Sequence, residues 1–508
     1  MKQIFQNLRT GAAETLEIPT PHCPKGCVLV QSQCSLISPG TERMLADFGR
    51  GGWISKARQQ PDKVKQVLQK MRTDGVEATV RAVFSKLDQP LPVGYSNVGT
   101  VIQVGEGVKN LKVLDRVVSN GYHAELVAVP ENLVAKIPDD VSDEAAAFTV
   151  LGAIALQGVR LAAPSLGETF SVFGLGLLGV LTCQILKANG CKVIGIDISE
   201  ERVETAKRFG VEGLVVAPNE DPTERVINAN GGQEVDGVLI TASTRSNGPI
   251  ASAPRMTRKR GRIILVGVVG LNLERTEFFK KELTFQVSCS YGPGRYDEGY
   301  EKEGLDYPVG YVRWTEQRNF EAVLELIRSG NLDVRSLITE RIPFDGAAAA
   351  YDRILTEAKG YGYLFQYPST PLAKRTRIDL VRGEKAKSIK PSSGAPTFGF
   401  IGAGNYVRGV LLPSFASTEA RFTGVVSQSG MGSADLARKF GFNFHATDVS
   451  EVLNDKGTNV VVVATRHNTH AELTVRALQA GKHVFVEKPL AMNREEAMQV
   501  KKAFHAAP

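Results

Sequence analysis

A chain of 508 residues is long enough for two to four domains. Its 43% hydrophobic and 23% charged content is that of a folded globular protein, and no apolar run approaches the roughly 20 residues of a membrane span. The net charge of +7 is modest, and seven of the Lys/Arg fall in "AKRTRIDLVRGEKAKSIKPSSGAP" against two acids, with no interleaved aromatics. That run reads as a solvated linker and argues against nucleic acid as a partner.

The start, "MKQIFQNLRTGAAETLEIPTP", has no apolar signal-peptide core, so a cytoplasmic protein is expected. Cys23, Cys27 and Cys34 fit no common zinc spacing, and "CVLVQ" has the alternation of a strand. Reduced thiols are the expectation for them, and Cys183 and Cys191, inside a helix–strand pattern, are expected as small core residues. Between Glu42 and Gly94, "QPDKVKQVLQKMRTDGVEATVRAVFSKLDQP" predicts two amphipathic helices broken near Asp74-Gly75.

The strongest local signal follows. In "ETFSVFGLGLLGVLTCQILKANGCKVIGID" a short apolar strand enters Gly174-x-Gly176-x-x-Gly179 and leaves as a helix. The glycines suit a tight turn, close approach to a pyrophosphate and close helix packing, with helix amides facing the phosphates. A second strand ends at Asp197, whose carboxylate would accept hydrogen bonds from a ribose diol and repel a 2′-phosphate; NAD is therefore expected. Later strands complete a doubly wound sheet, two of them ending at Thr241 and Gly267 on the nicotinamide side. An insertion, "YGPGRYDEGYEKEGLDYPVGYVRW", carries Arg295, Tyr311 and Arg313, which suit a hydroxyl-rich or anionic substrate; a structural aromatic loop explains the same letters nearly as well.

A second strand–turn–helix unit opens with "TFGFIGAGNYVRG" at Gly402-x-Gly404. Its next strand ends in Ser427-Gln428-Ser429 without an acid, so NAD or NADP is expected there.

The first 366 or so residues resemble the medium-chain dehydrogenase/reductase superfamily through "ISPGTE", "GYSNVGTVIQVGEGV", "GYHAELVAVPEN", "AAAFTVLGAIALQGV" and the glycine turn. The resemblance implies α/β architecture with a β-barrel part: a GroES-like barrel over 1–150 with a helical insertion near 50–90, and a Rossmann domain over 151–292. It also implies an insertion and a return to the barrel over 293–366, with a basic linker over 367–396. The superfamily's zinc ligands map to Pro39 or Ser38, to Tyr95 with Ser96 beside it, and to Leu151-Gly152, none of them ligands, so a zinc-free site is expected. Thr41 matches the hydroxyl that relays the alcohol proton and Glu42 lies next to it on the substrate side. Tyr95 either donates a proton to a carbonyl oxygen or fills the space a metal would take.

Residues 397–508 resemble the N-terminal Rossmann domain of Gfo/Idh/MocA sugar dehydrogenases through "GFIGAGN", "ATRHNTHAEL" and "AGKHVFVEKPLA". The resemblance places Gly402, Gly404, Thr465 and Glu487 at a cofactor and Lys488 at the substrate hydroxyl. The family's substrate domain would begin about where "KKAFHAAP" stands, so this unit reads as a cofactor floor without its roof. The expected function is hydride transfer between NAD(H) and a secondary alcohol or ketone on a small molecule such as a sugar or polyol derivative. The expected assembly is a homo-oligomer away from membranes. The alternatives are a quinone or enone reductase, and a nucleotide-binding sensor or scaffold without turnover.

Overall fold

The computed structural model describes residues 1–8, 10–40, 42–43, 90–357, 359–380 and 396–507. The two helices expected between Glu42 and Gly94 lie outside the described residues.

The N-terminal part is a barrel-like pair of sheets. The longer sheet runs in the order Ile338–Pro343, Gly362–Gln366, Cys27–Ile37, Asn97–Val104, Arg116–Ser119, Val134–Lys136, and Leu126–Pro130 also pairs with Cys27–Ile37. A small sheet of Ala13–Glu17, Lys2–Asn7 and Pro90–Pro92 lies beside it. The central strand Cys27–Ile37 buries most of its residues, including Val28, Val30 and Leu36, as a strand covered on both faces must. Because Gly362–Gln366 pairs antiparallel with Cys27–Ile37, the chain returns to the longer sheet after an intervening domain.

That intervening domain is a six-stranded parallel sheet ordered Glu212–Val215, Lys192–Asp197, Thr169–Phe173, Val235–Ile240, Thr257–Leu265, Thr284–Val287. Strand order reverses between Thr169–Phe173 and Val235–Ile240, which opens a crevice at the carboxyl ends of these strands. Helix Thr149–Ala162 joins the two parts: its buried residues belong to one core with Val30 and Val98 of the barrel and with Val172 and Leu181 of the parallel sheet.

A second parallel sheet is ordered Arg377–Asp379, Phe444–Ala446, Arg421–Val426, Thr397–Ile401, Val460–Val463, His483–Val486. Its outer strand comes from the basic stretch: Arg377–Asp379 pairs antiparallel with Phe444–Ala446. Arg377 is held there by its guanidinium stacking 3.6 Å from the Phe444 ring and by Asp379. The sheet also leans on the barrel, where Thr447 Oγ1 donates to Thr20 O at 2.5 Å and His22 N to Gln428 O at 3.0 Å. No helix among the described residues is long and apolar enough to cross a membrane.

Candidate active site

At the crevice the strand Thr169–Phe173 turns at Gly174 and re-enters as helix Leu177–Ala188. Gly174 has φ +89°, a region open to glycine, and a Cβ on Gly179 would lie 1.8 Å from Gly174 O. Gly176 caps the helix with no side-chain hydrogen bond, so the first amides are left for an anion. Thr241 Oγ1 donates to Phe173 O at 2.9 Å and Gly174 O at 2.6 Å, pinning the turn from the next strand. Gly267 packs where a Cβ would meet Ala242 O at 2.2 Å. Asp197 is buried at the end of its strand; its Oδ2 accepts from Leu175 N at 2.7 Å and its Oδ1 from Ser199 N at 2.9 Å. The carboxylate is thereby aimed across the turn.

These residues wall a cavity of about 910 Å³ that the barrel closes with Ser38, Pro39, Gly40 and Arg43. Arg202, from the helix after Asp197, also lines it. Neither Arg43 nor Arg202 was flagged by sequence reasoning, since a lone arginine on a helix or turn carries no motif.

Other expected site residues fall elsewhere. Thr41 lies outside the described residues. Glu42, expected on the substrate side, is 1% exposed and both oxygens are engaged. Oε1 accepts from Ser38 N at 2.8 Å and Oε2 meets His123 Nε2 at 3.3 Å. His123 Nδ1 pairs with Ser35 Oγ at 2.8 Å, and Ser35 Oγ with Tyr367 OH at 2.8 Å. Burial, with the Glu42 carboxylate second, holds the Tyr351 hydroxyl far above the ordinary tyrosine pKa. Glu42 is thus a corner of a buried polar network beneath the turn and not a group facing substrate. Tyr95 packs on the barrel core with its hydroxyl buried, and it does not line the cavity. Ser96 Oγ donates to Ala147 O at 2.6 Å, a structural use.

At the positions where the resemblance would put zinc ligands, the side chains are Ser38, Pro39, Tyr95, Ser96 and Leu151, with Gly152 after it. Ser38 and Pro39 reach the cavity, but Leu151 is fully buried and a Cβ on Gly152 would sit 2.6 Å from Val323 Cγ1, against helix Glu316–Arg328. Among the described residues no cluster of three His, Cys, Asp or Glu side chains could hold an ion.

In the insertion, Arg295 is neutralised by Glu301 and stacks 4.3 Å from the Tyr296 ring. Tyr311 is 91% exposed. Arg313 lies 4.0 Å over Trp314.

In the second unit Gly402 has φ +114° and Gly404 faces open space. Thr465 Oγ1 bonds Thr469 Oγ1 at 2.6 Å, and Glu487 N donates to Val463 O, placing Glu487 and the exposed Lys488 at the carboxyl end of the last strand. The fully buried His470 bridges the two loops, with Nδ1 at 2.8 Å from Pro489 O and Nε2 at 3.2 Å from Thr465 O. Ser427 Oγ accepts from Ser433 N, so it caps the following helix.

Residues 178–302 match the family model for a zinc-binding dehydrogenase, and residues 397–507 match that for an oxidoreductase family with an NAD-binding Rossmann fold. An alcohol dehydrogenase of Geobacillus stearothermophilus is 31% identical over 213 residues, 35% of this chain and 61% of that enzyme, so the match spans under two thirds of the relative. A D-xylulose reductase of Scheffersomyces stipitis is 27% identical over 307 residues, 50% of this chain and 83% of the relative. The solved alcohol dehydrogenase of Thermus sp. ATN1 superposes with a TM-score of 0.55 at 19% identity, covering 72% of this chain and 100% of its own. Two separate stretches of the chain thus match oxidoreductase family models, and its first part shares the fold of the solved alcohol dehydrogenase.

Proposed function

We propose that the first module moves a hydride between NAD(H) and a secondary alcohol or ketone, on a sugar or polyol derivative, without a protein-bound zinc. The observation that carries this reading is the cavity itself. It joins a dinucleotide turn, an acid at the ribose position and a barrel turn within one enclosure of about 910 Å³. When bound, NAD(H) supplies or accepts the hydride. The chain's part is to hold it: helix amides after Gly176 take the pyrophosphate, Asp197 takes the adenosine ribose diol, and Gly267 lets the backbone approach the nicotinamide. With no ligand set for a Lewis acid among the described residues, the carbonyl oxygen is met in this reading by hydrogen-bond donors. Thr41 is the first choice for that role, because the Tyr95 hydroxyl is buried away from the cavity.

Relatives named as an alcohol dehydrogenase and a D-xylulose reductase favour hydroxyl-bearing substrates over quinones or enones. The terminal unit is proposed to bind NAD or NADP through Gly402, Gly404, Thr465 and Glu487, with Lys488 beside the nicotinamide. The protein is taken to work in the cytoplasm as a homo-oligomer.

The test is NADH oxidation across ketoses, acetoin, a quinone and an enone. Turnover on a ketose that falls at least about tenfold in Thr41→Val supports the reading. Turnover on the quinone or enone alone would transfer it to the reductase class, and NADH binding without any turnover would make the module a sensor.

A further inference from the structure

Two guanidinium groups share the ring of Trp314. Arg160 Cζ lies 3.4 Å and Arg313 Cζ 4.0 Å from its centroid. Arg160 comes from the last turn of helix Thr149–Ala162, and Arg313 from the end of the insertion. Elsewhere in this lobe arginine charge is cancelled: Arg295 pairs with Glu301 and Arg318 with Asp306. Arg160 and Arg313 form no ion pair among the described residues. The carboxyl of Glu321 is near enough to feel Arg318 and Arg313 but is beyond ion-pair distance, and burial raises its pKa.

Arg160 is oriented by one bond, Nε to Asn319 Oδ1 at 2.8 Å, which leaves its two terminal nitrogens without an acceptor among the described residues. Burial first, and the Arg313 charge second, push its pKa down to about 10. The indole fixes where the two cations sit but does not remove their mutual repulsion. Two like charges, the half-buried Arg160 and the exposed Arg313, held on one ring with no carboxylate in ion-pair contact leave a place for an anion.

We propose that Arg160, Arg313 and Trp314 form an oxyanion-binding site that takes the phosphate or carboxylate group of a small molecule. The site shares a helix with the nucleotide cavity. Ile154, which lines that cavity, lies six residues before Arg160 on the same helix, about 9 Å along its axis. The shared chemistry is a forked guanidinium donor meeting a planar or tetrahedral oxyanion. The anion arrives either free or as part of a sugar-like substrate.

The chain has two tryptophans, Trp53 and Trp314, so Trp53→Phe in the full chain makes Trp314 the only indole. Its fluorescence is titrated with inorganic phosphate, with sodium chloride at matched ionic strength, and with sorbitol 6-phosphate against sorbitol. The proposal expects a saturable change with phosphate and none with chloride. Arg313→Gln and Arg160→Gln should each weaken it at least tenfold, with an unchanged thermal midpoint for the exposed Arg313→Gln. Sorbitol 6-phosphate binding tighter than phosphate, with sorbitol silent, assigns the site to a substrate-borne anion; equal affinities assign it to a free one. A response that does not saturate, that chloride reproduces, or that survives Arg313→Gln overturns the site. The readout needs no cofactor, so it stands or falls apart from the hydride-transfer reading.

Discussion

Gly176 and Gly179 differ in what surrounds them, and the difference separates folding from binding. A Cβ on Gly179 would collide with the Gly174 carbonyl, whereas a Cβ on Gly176 would meet nothing nearer than Arg202 Nη1 at 3.8 Å, and its φ of −66° suits alanine. Gly179→Ala should therefore lower the thermal midpoint and abolish NADH binding together. Gly176→Ala should keep the midpoint yet weaken NADH at least about tenfold, because the methyl stands where the pyrophosphate must approach. Fluorescence titration and thermal unfolding of both variants check this.

A second residue-scale case is Glu316, fully buried with neither carboxylate oxygen hydrogen-bonded. Burial first and Glu301 second raise its carboxyl from 4.5 to about 8, while Arg295 opposes. The folded protein holds a proton that the unfolded chain releases above its own lower pKa. Stability from this group is thus complete in acid and is lost as pH rises from about 4.5 to 8. Glu316→Gln should gain on the wild type across that interval, by about 1–3 kcal/mol at pH 8. Denaturant melts at pH 5 and pH 8 would show it, and a constant difference would contradict it.

At the scale of elements, what was legible was local. Gly174, Gly176, Gly179 and Asp197 sit within one strand–helix–strand span, so their spacing announced the cavity before any coordinates. The role of Glu42 was not legible, since His123 lies 81 residues away and only the sheet brings them together. Nor was the strand Arg377–Asp379, three charged or isolated residues in a basic run, whose pairing is set by a distant Phe444–Ala446 edge. The Glu42 network has a consequence for the turn above it. Glu42→Gln would weaken the acceptor for Ser38 N and break a fully buried pair with His123. It should cost about 2–4 kcal/mol of stability, and His123→Gln should cost less in the Glu42→Gln background than alone. A double-mutant cycle by denaturant unfolding measures this coupling.

At the scale of the whole molecule, two dinucleotide folds share one chain with unlike ribose positions. The first ends its second strand in Asp197; in the second unit Ser427 follows the strand, and its hydroxyl accepts from Ser433 N in the next helix. The second sheet is tied to the barrel through Thr20–Thr447 and His22–Gln428, so the two modules are built against each other and not merely linked. Fold class was readable because each sheet rests on short-range strand–helix alternation; this contact was not, because it joins residues more than four hundred positions apart.

The most direct measurement is calorimetric titration of the full chain with NADH and with NADPH, repeated on Gly176→Ala and Asp197→Asn. The account predicts NADH binding tighter than NADPH at one equivalent that Gly176→Ala weakens at least about tenfold, with the NADH preference narrowed by Asp197→Asn. NADH binding untouched by both variants, or a preference for NADPH at the equivalent they affect, would contradict it.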